Sequence, residues 1–271
     1  MELSMTNKTK ILLIVEGKKT EPMVFSRLAE VFDLDCEIHC FATNIYDLYR
    51  RMKAYDFAAD IRDVLKEKHQ DQKGILSLDF AYTYLIFDCD LHHSKKEEKR
   101  SPKDIALDNL DVLQEMASYF TNETDPSIGK LYINYPMMES FRDADDFFDP
   151  SYENRCISLA KIPQYKNEVA NRKLCRLHAD HFEKRHFEGL ILQNLHKWNS
   201  ICHQMWEKPK YSKYLQDPSF LALLSKQKRS MEEEGILWVI NTSLFLIIDY
   251  FGNKNGFYDS LRLSKEPFPS L

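Results

Sequence analysis

The stretch Ile11-Leu12-Leu13-Ile14-Val15-Glu16-Gly17-Lys18-Lys19-Thr20-Glu21-Pro22 decides the fold. Its first five residues are all apolar, too few for a helix of their own. They predict a strand covered on both faces, as in a parallel sheet, rather than one with a solvated side. A helix follows: Thr20 is an N-cap candidate, Pro22 suits the first turn, and Val24, Leu28, Val31 and Phe32 share one face. Working outward, residues 36–42 predict a second strand. Thr43 or Asn44 caps a helical stretch through Tyr55, and another helical pattern runs over 56–69. A third strand is expected over 82–87. Ser101-Pro102-Lys103-Asp104 opens a helix whose Leu110, Leu113, Ala117 and Phe120 recur at helical spacing up to Asn122, and a fourth strand is expected over 130–135. The order β-α-β-α-β-α-β predicts an α/β, Rossmann-like fold with a mostly parallel four-stranded sheet and flanking helices.

Beyond about Asp149 strand-like runs give way to helical patterns, at 185–206 and 232–251. An α/β domain over 8–148 is therefore expected to precede a helical region over 149–271, with the acidic, aromatic stretch 143–150 between them. The apolar run 235–251 predicts one buried helix. It is short for a membrane span and carries Asn241, Thr242, Ser243 and Asp249, so it either packs in the core or supplies a homodimer surface.

With 271 residues, 44% of them apolar, the chain can bury a substantial core. The seven glycines permit neither G-x-G-x-x-G nor a P-loop, so phosphate chemistry must run through side chains or metal. Thirty-seven basic against 42 acidic residues exclude a protein that coats nucleic acid by bulk charge; binding needs a local patch. The apolar run after Lys8 and Lys10 is too short for a signal peptide, and the six cysteines form no C-x-x-C. Both features fit a cytoplasmic protein with reduced thiols.

Open parallel sheets react at the carboxyl ends of their strands. Three of the four predicted strands run into acids there: Glu16, then Asp88-Cys89-Asp90, then Glu139 after Pro136-Met137-Met138. If those strands are neighbours, the carboxylates meet. Crowded carboxylates repel, and a divalent cation is the usual compensation; oxygen ligands alone select Mg²⁺ or Mn²⁺. Such a site can polarise a phosphodiester and activate water. Any one acid has a plainer reading, because carboxylates cap turns everywhere. Cys89 should point away from its flanking aspartates into the core, and His92 and His93 read as surface loop residues.

Two basic features stand beside the acids. Lys130 opens the fourth strand and either offsets phosphate charge in a transition state or is simply solvated. Residues 161–186 carry Lys161, Lys166, Arg172, Lys173 and Arg176 against few acids, either a nucleic-acid-binding face or an exposed helix laced with ion pairs. Trp198 and Trp206 read as packing anchors.

Taken together, Ile11 to Pro22 with Phe87-Asp88-Cys89-Asp90 resembles the TOPRIM fold, in particular the stand-alone or ATPase-associated forms of the OLD, RloB-like and PARIS defence nucleases. Glu16-Gly17-x-x-Thr20-Glu21-Pro22 is similar to the RloB-like opening, and Pro136-x-x-Glu139 to an N-P-x-x-E segment, with Tyr135 intervening after Asn134. The likeness covers residues 8–145. It implies a metal-dependent nuclease of bacterial antiphage defence in which Glu16 is a metal ligand or general base and Asp88 and Asp90 hold the metal. Glu21 and Glu139 supply further acids. Attack by activated water on DNA or RNA, tRNA included, is what the likeness implies, with an ABC-type ATPase subunit as partner. The competing expectation is a non-catalytic module that senses a nucleotide or metal through the same acids; a primase-like nucleotidyl transferase is a third.

Overall fold

The computed structural model describes residues 10–42, 44–92 and 100–262. Lys8, Thr43 and His93 lie outside the described residues. The first half runs β1 (Lys10–Val15), α1 (Thr20–Phe32), β2 (Asp35–Cys40), α2 (Ile45–Ala54), α3 (Ile61–Lys68), the short α4 (Lys73–Leu76), β3 (Tyr82–Asp88), α5 (Pro102–Tyr119), β4 (Thr121–Asn122) and β5 (Gly129–Asn134). The strands form one sheet in the order β2-β1-β3-β5-β4, parallel throughout except where β4 meets β5.

The α/β architecture with a mostly parallel sheet is as the sequence predicts, but the sheet has five strands rather than four. The end of the helix expected to reach Asn122 leaves the helix at Phe120 and becomes the two-residue edge strand β4. Gly129 makes the return into β5 at φ +79°, where a Cβ would lie 2.6 Å from Leu85 Cδ1. The pattern over 56–69 also starts late: Asp56 and Phe57 adopt left-handed backbone, and α3 begins only after Asp60, whose carboxylate accepts the Arg62 N–H at 2.7 Å.

All five apolar residues of β1 are completely buried, because α1 lays Val24, Phe25 and Leu28 against the sheet and other elements cover the opposite face. Each such side chain contributes about 1.5 to 3 kcal/mol of burial. β1 pairs with β2 on one side and with β3 on the other. The crossovers therefore leave β1 in opposite directions and open a crevice at the carboxyl ends of β1 and β3.

The second half is mainly helical, as the sequence predicts, but departs from expectation in its details. Short 3₁₀ turns at Met138–Arg142 and Pro150–Asn154 lead into β6 (Cys156–Ser158), a 3₁₀ turn at Leu159–Gln164 and α6 (Tyr165–Val169). Two more 3₁₀ turns, at Lys173–Arg176 and Ala179–His181, precede α7 (Lys184–His203), α8 (Tyr211–Tyr214), α9 (Leu221–Glu234) and β7 (Ile236–Trp238). A 3₁₀ turn at Ser243–Phe245, α10 (Leu246–Phe251), a 3₁₀ turn at Lys254–Gly256 and α11 (Phe257–Ser260) complete the order.

The single buried helix expected over 235–251 is thus corrected, as is the expectation that strands cease after Asp149. Gly235, at φ +69°, ends α9, and the chain then pairs antiparallel with β6 before Ile240 exchanges two backbone hydrogen bonds with Tyr135. Gln227 brackets Trp238 with its amide, accepting from the backbone N–H and donating to the carbonyl at 2.8 Å each, as a neighbouring strand would. A run that is apolar on every side carries no period to separate buried helix from buried strand. Among the described residues no helix is long and apolar enough to cross a membrane.

Buried side chains from both halves form one core cluster. Two lysines are buried within it. Lys197 of α7 donates to the carbonyls of Tyr152, Glu153 and Arg155 and so closes the 3₁₀ turn that leads into β6. Lys130, at the amino end of β5, pairs with Asp249 of α10; their side chains are 3% and 6% exposed. Asp249 also accepts hydrogen bonds from the hydroxyls of Tyr132 and Tyr214, the latter at 3.0 Å.

Candidate functional site

The crevice predicted by the strand order is a cleft of about 500 Å³ at the carboxyl rim of the sheet. Glu16, Asp88 and Asp90 give it its acidic lining; Met137, Ile162 and Lys166 line it as well. β1 delivers Glu16 and β3 delivers Asp88, and the Asp88 backbone N–H donates to Glu16 Oε2 at 3.1 Å.

The turn after β1 is built around one missing side chain. Glu21, in the first turn of α1, accepts the Gly17 N–H at 3.0 Å. A Cβ on residue 17 would fall 2.5 and 2.7 Å from the two Glu21 carboxylate oxygens, so any other residue there pushes Glu21 aside. On the β3 side, Cys89 is buried, as its alternation with the aspartates predicts. Its N–H donates to the carbonyls of Asn134 and Pro136, and its carbonyl accepts the Tyr46 hydroxyl at 2.6 Å. That clamp fixes the two aspartates. Asp90 is held in left-handed backbone at φ 42° and meets His92 Nε2 at 3.0 Å, a conformation that costs energy for a residue other than glycine.

Electrostatically the rim is overloaded. Burial pushes the Glu16 pKa up to about 8; the Asp88 N–H works against this, and the charges of Asp90 and Glu21 add to it. Burial also raises Glu21, and it raises Asp88 well above the usual carboxylate range, with Glu16, Glu21 and Glu139 adding repulsion. Asp88 keeps part of its surface open to the cleft, but the protein packed around it displaces most of its water.

Glu139 lies in the 3₁₀ turn Met138–Arg142 after β5. One of its oxygens is 3.1 Å from Lys166 Nζ; the other is buried without a hydrogen-bond partner. For Lys166, burial lowers the pKa, but Glu139, Asp88 and Glu21 outweigh it and the ammonium ends above its ordinary value.

Of the residues singled out in the sequence, Glu16, Glu21, Asp88, Asp90, Glu139 and Lys166 come together at this rim. Lys130 does not. It pairs with Tyr84 of β3, whereas Asn134 pairs with Asp88, so it sits four residues down the strand, about 13 Å away at the strand rise, and its charge is spent on Asp249. The basic segment is a chain of short turns rather than one helix. Lys161, Lys173 and Arg176 are exposed, while Arg172 is tied to Asp143 at 2.8 Å. Tyr46, Met137 and Ile162 are contributors that the sequence did not flag; a tyrosine in a helix and an isolated Ile-Pro pair carry no chemical signature.

The donor chemistry suits a hard cation: carboxylate oxygens dominate, with His92 the one imidazole donor among the described lining residues, the acids' charges are poorly compensated, and one buried oxygen lacks a partner. In the conformation described, however, among the described residues no three His, Cys, Asp or Glu side chains are gathered closely enough to hold a metal ion. Glu16, Glu21 and Glu139 instead spend their oxygens on two backbone N–H groups and the Lys166 ammonium. Holding an ion would require these side chains to turn inward. No family model matches the chain, and neither a curated protein nor a solved structure matches it.

Proposed function

We propose that the chain is a Mg²⁺- or Mn²⁺-dependent nuclease of the TOPRIM type that hydrolyses phosphodiesters in DNA or RNA. The observation that carries this reading is the meeting of Glu16, Asp88 and Glu139, from three separate strand ends, beside the switch point of a parallel sheet, with more negative charge than their surroundings neutralise. Glu16, Glu21, Asp88, Asp90 and Glu139 are the residues that would hold the cation. A divalent ion bound there supplies charge to polarise a phosphodiester and to make water a stronger nucleophile.

The chain's own residues do the rest. Tyr46 and the backbone of Cys89 keep the two aspartates in place. Gly17 leaves room for Glu21, and Met137 and Ile162 form an apolar wall that limits water around the acids. Lys161, Lys173 and Arg176 give an exposed basic surface that could track a phosphate backbone. A role as effector of an antiphage system, controlled by an ABC-type ATPase in the cytoplasm, rests on the sequence likeness and fits six free cysteines.

The test is to incubate wild type and Glu16→Gln with plasmid, single-stranded DNA and total tRNA, under Mg²⁺, Mn²⁺ or chelator, with and without the candidate ATPase. Wild type should cut at least one substrate when metal is present, and the variant should be slower by about 10³-fold or more. Equal cutting by both, or none under any condition, rejects the enzyme. The competing reading, a sensor that binds metal or nucleotide through the same acids without cleaving, predicts saturable Mn²⁺ binding and intact substrate in the same assay.

A further inference from the structure

We propose that Lys166 is a tethered counter-ion: without a divalent cation its ammonium stands in for one among the rim carboxylates, and an entering cation must displace it. The proposal rests on the reading of the rim as a metal site and adds how entry is regulated. Lys166 arrives on α6, apart from the strands β1 and β3 that deliver Glu16 and Asp88, and lines the same cleft. Its Nζ lies 3.1 Å from Glu139, and its charge acts on Glu16, Glu21 and Asp88 as well. Among the described residues lining the cleft it is the sole lysine or arginine.

A single positive charge cannot neutralise so many carboxylates, whereas a divalent ion does better. The lysine therefore holds the place weakly. It can also leave: the Lys166 side chain is 63% exposed, so its head can swing into water without disturbing the core. Lys130, 3% exposed and enclosed by Asp249 and aromatic rings, has no such freedom. Displacement of Lys166 cuts the ion pair between α6 and the turn that holds Glu139.

The experiment is Mn²⁺ titration of the intact protein, with free Mn²⁺ read by electron paramagnetic resonance, for wild type, Lys166→Met and Lys166→Arg. Loss of the competing charge should make Lys166→Met bind Mn²⁺ roughly 5- to 100-fold more tightly, a typical range for coupled binding events, while Lys166→Arg stays near wild type. Metal-free Lys166→Met should melt below wild type and gain more in Tm on adding Mn²⁺. Wild type and Lys166→Met binding with equal affinity, or the variant binding more weakly, overturns the counter-ion while leaving the metal site standing. Absence of Mn²⁺ binding in all three proteins rejects the metal site and the counter-ion with it.

Discussion

The two ends of one sheet bury charge in opposite ways. At the amino end of β5, Lys130 and Asp249 are enclosed as a matched pair, and both oxygens of Asp249 accept a tyrosine hydroxyl. At the carboxyl rim, Glu16, Asp88 and their neighbours are packed together, and among the described residues lining the cleft one exposed lysine balances them. The first cluster is satisfied and the second is not. A protein has no folding reason to assemble the second, since like charges in a desolvated site lower stability, so the rim is where a ligand is to be sought.

This contrast can be broken by opposite responses to neutralisation. The largest effect belongs to the satisfied end. Lys130→Met strands a buried carboxylate and should cost about 3 to 5 kcal/mol in denaturant unfolding, whereas Lys130→Met with Asp249→Leu should recover much of that loss. If the single variant were as stable as wild type, the pair would not be the matched cluster described. At the rim the sign reverses: Asp88→Asn in the metal-free protein should raise stability, by about 1 to 2 kcal/mol, while abolishing cleavage. A loss of stability there would mean that the acids are satisfied after all.

The smallest effect is a pH signature. Glu16 is raised from 4.5 to about 8 in the folded chain, so between those values the folded state holds more proton than the unfolded one. Stability from this group is therefore present at low pH and is lost as pH rises through that window. Wild type and Glu16→Gln should melt alike near pH 5, and the variant should lead by about 1 kcal/mol at pH 8, since neighbouring acids share the proton. A gap that narrows as pH rises would contradict the overload. As a sharper local probe, Gly17→Ala should displace Glu21 and weaken cleavage more than it lowers Tm, because the clash falls on a carboxylate rather than on the core.

Much of the sheet was legible in the residues, for a physical reason. Strands buried on both faces tend to be continuous apolar runs, and Ile11 to Val15 and Tyr84 to Phe87 are such runs, each too short for a helix, although β5 is buried throughout with Lys130 and Asn134 in it. The rim acids were legible because topology sends the carboxyl ends of parallel strands to one edge. β4, β6 and β7 were not: two- and three-residue strands exist through their partners, and nothing local announces that Gln227 will imitate a strand or that Ile240 will meet Tyr135. Lys130 could have been placed far from the chemistry by its position at the start of a strand, but its bond to Asp249, 119 residues away, could not. The role of Lys166 was hidden for a similar reason: the turns that aim it into the cleft follow no period.

The cleft is assembled from two separately encoded parts, since the acids ride on the sheet while Ile162, Pro163, Lys166 and Asn167 arrive after β6. Reactivity and admission are thereby written in different stretches of the gene. On the proposed reading, exposed Pro163 and Asn167 could vary to change which molecules fit the cleft while Lys166 and the buried Ile162, Tyr165 and Val169 stay in place.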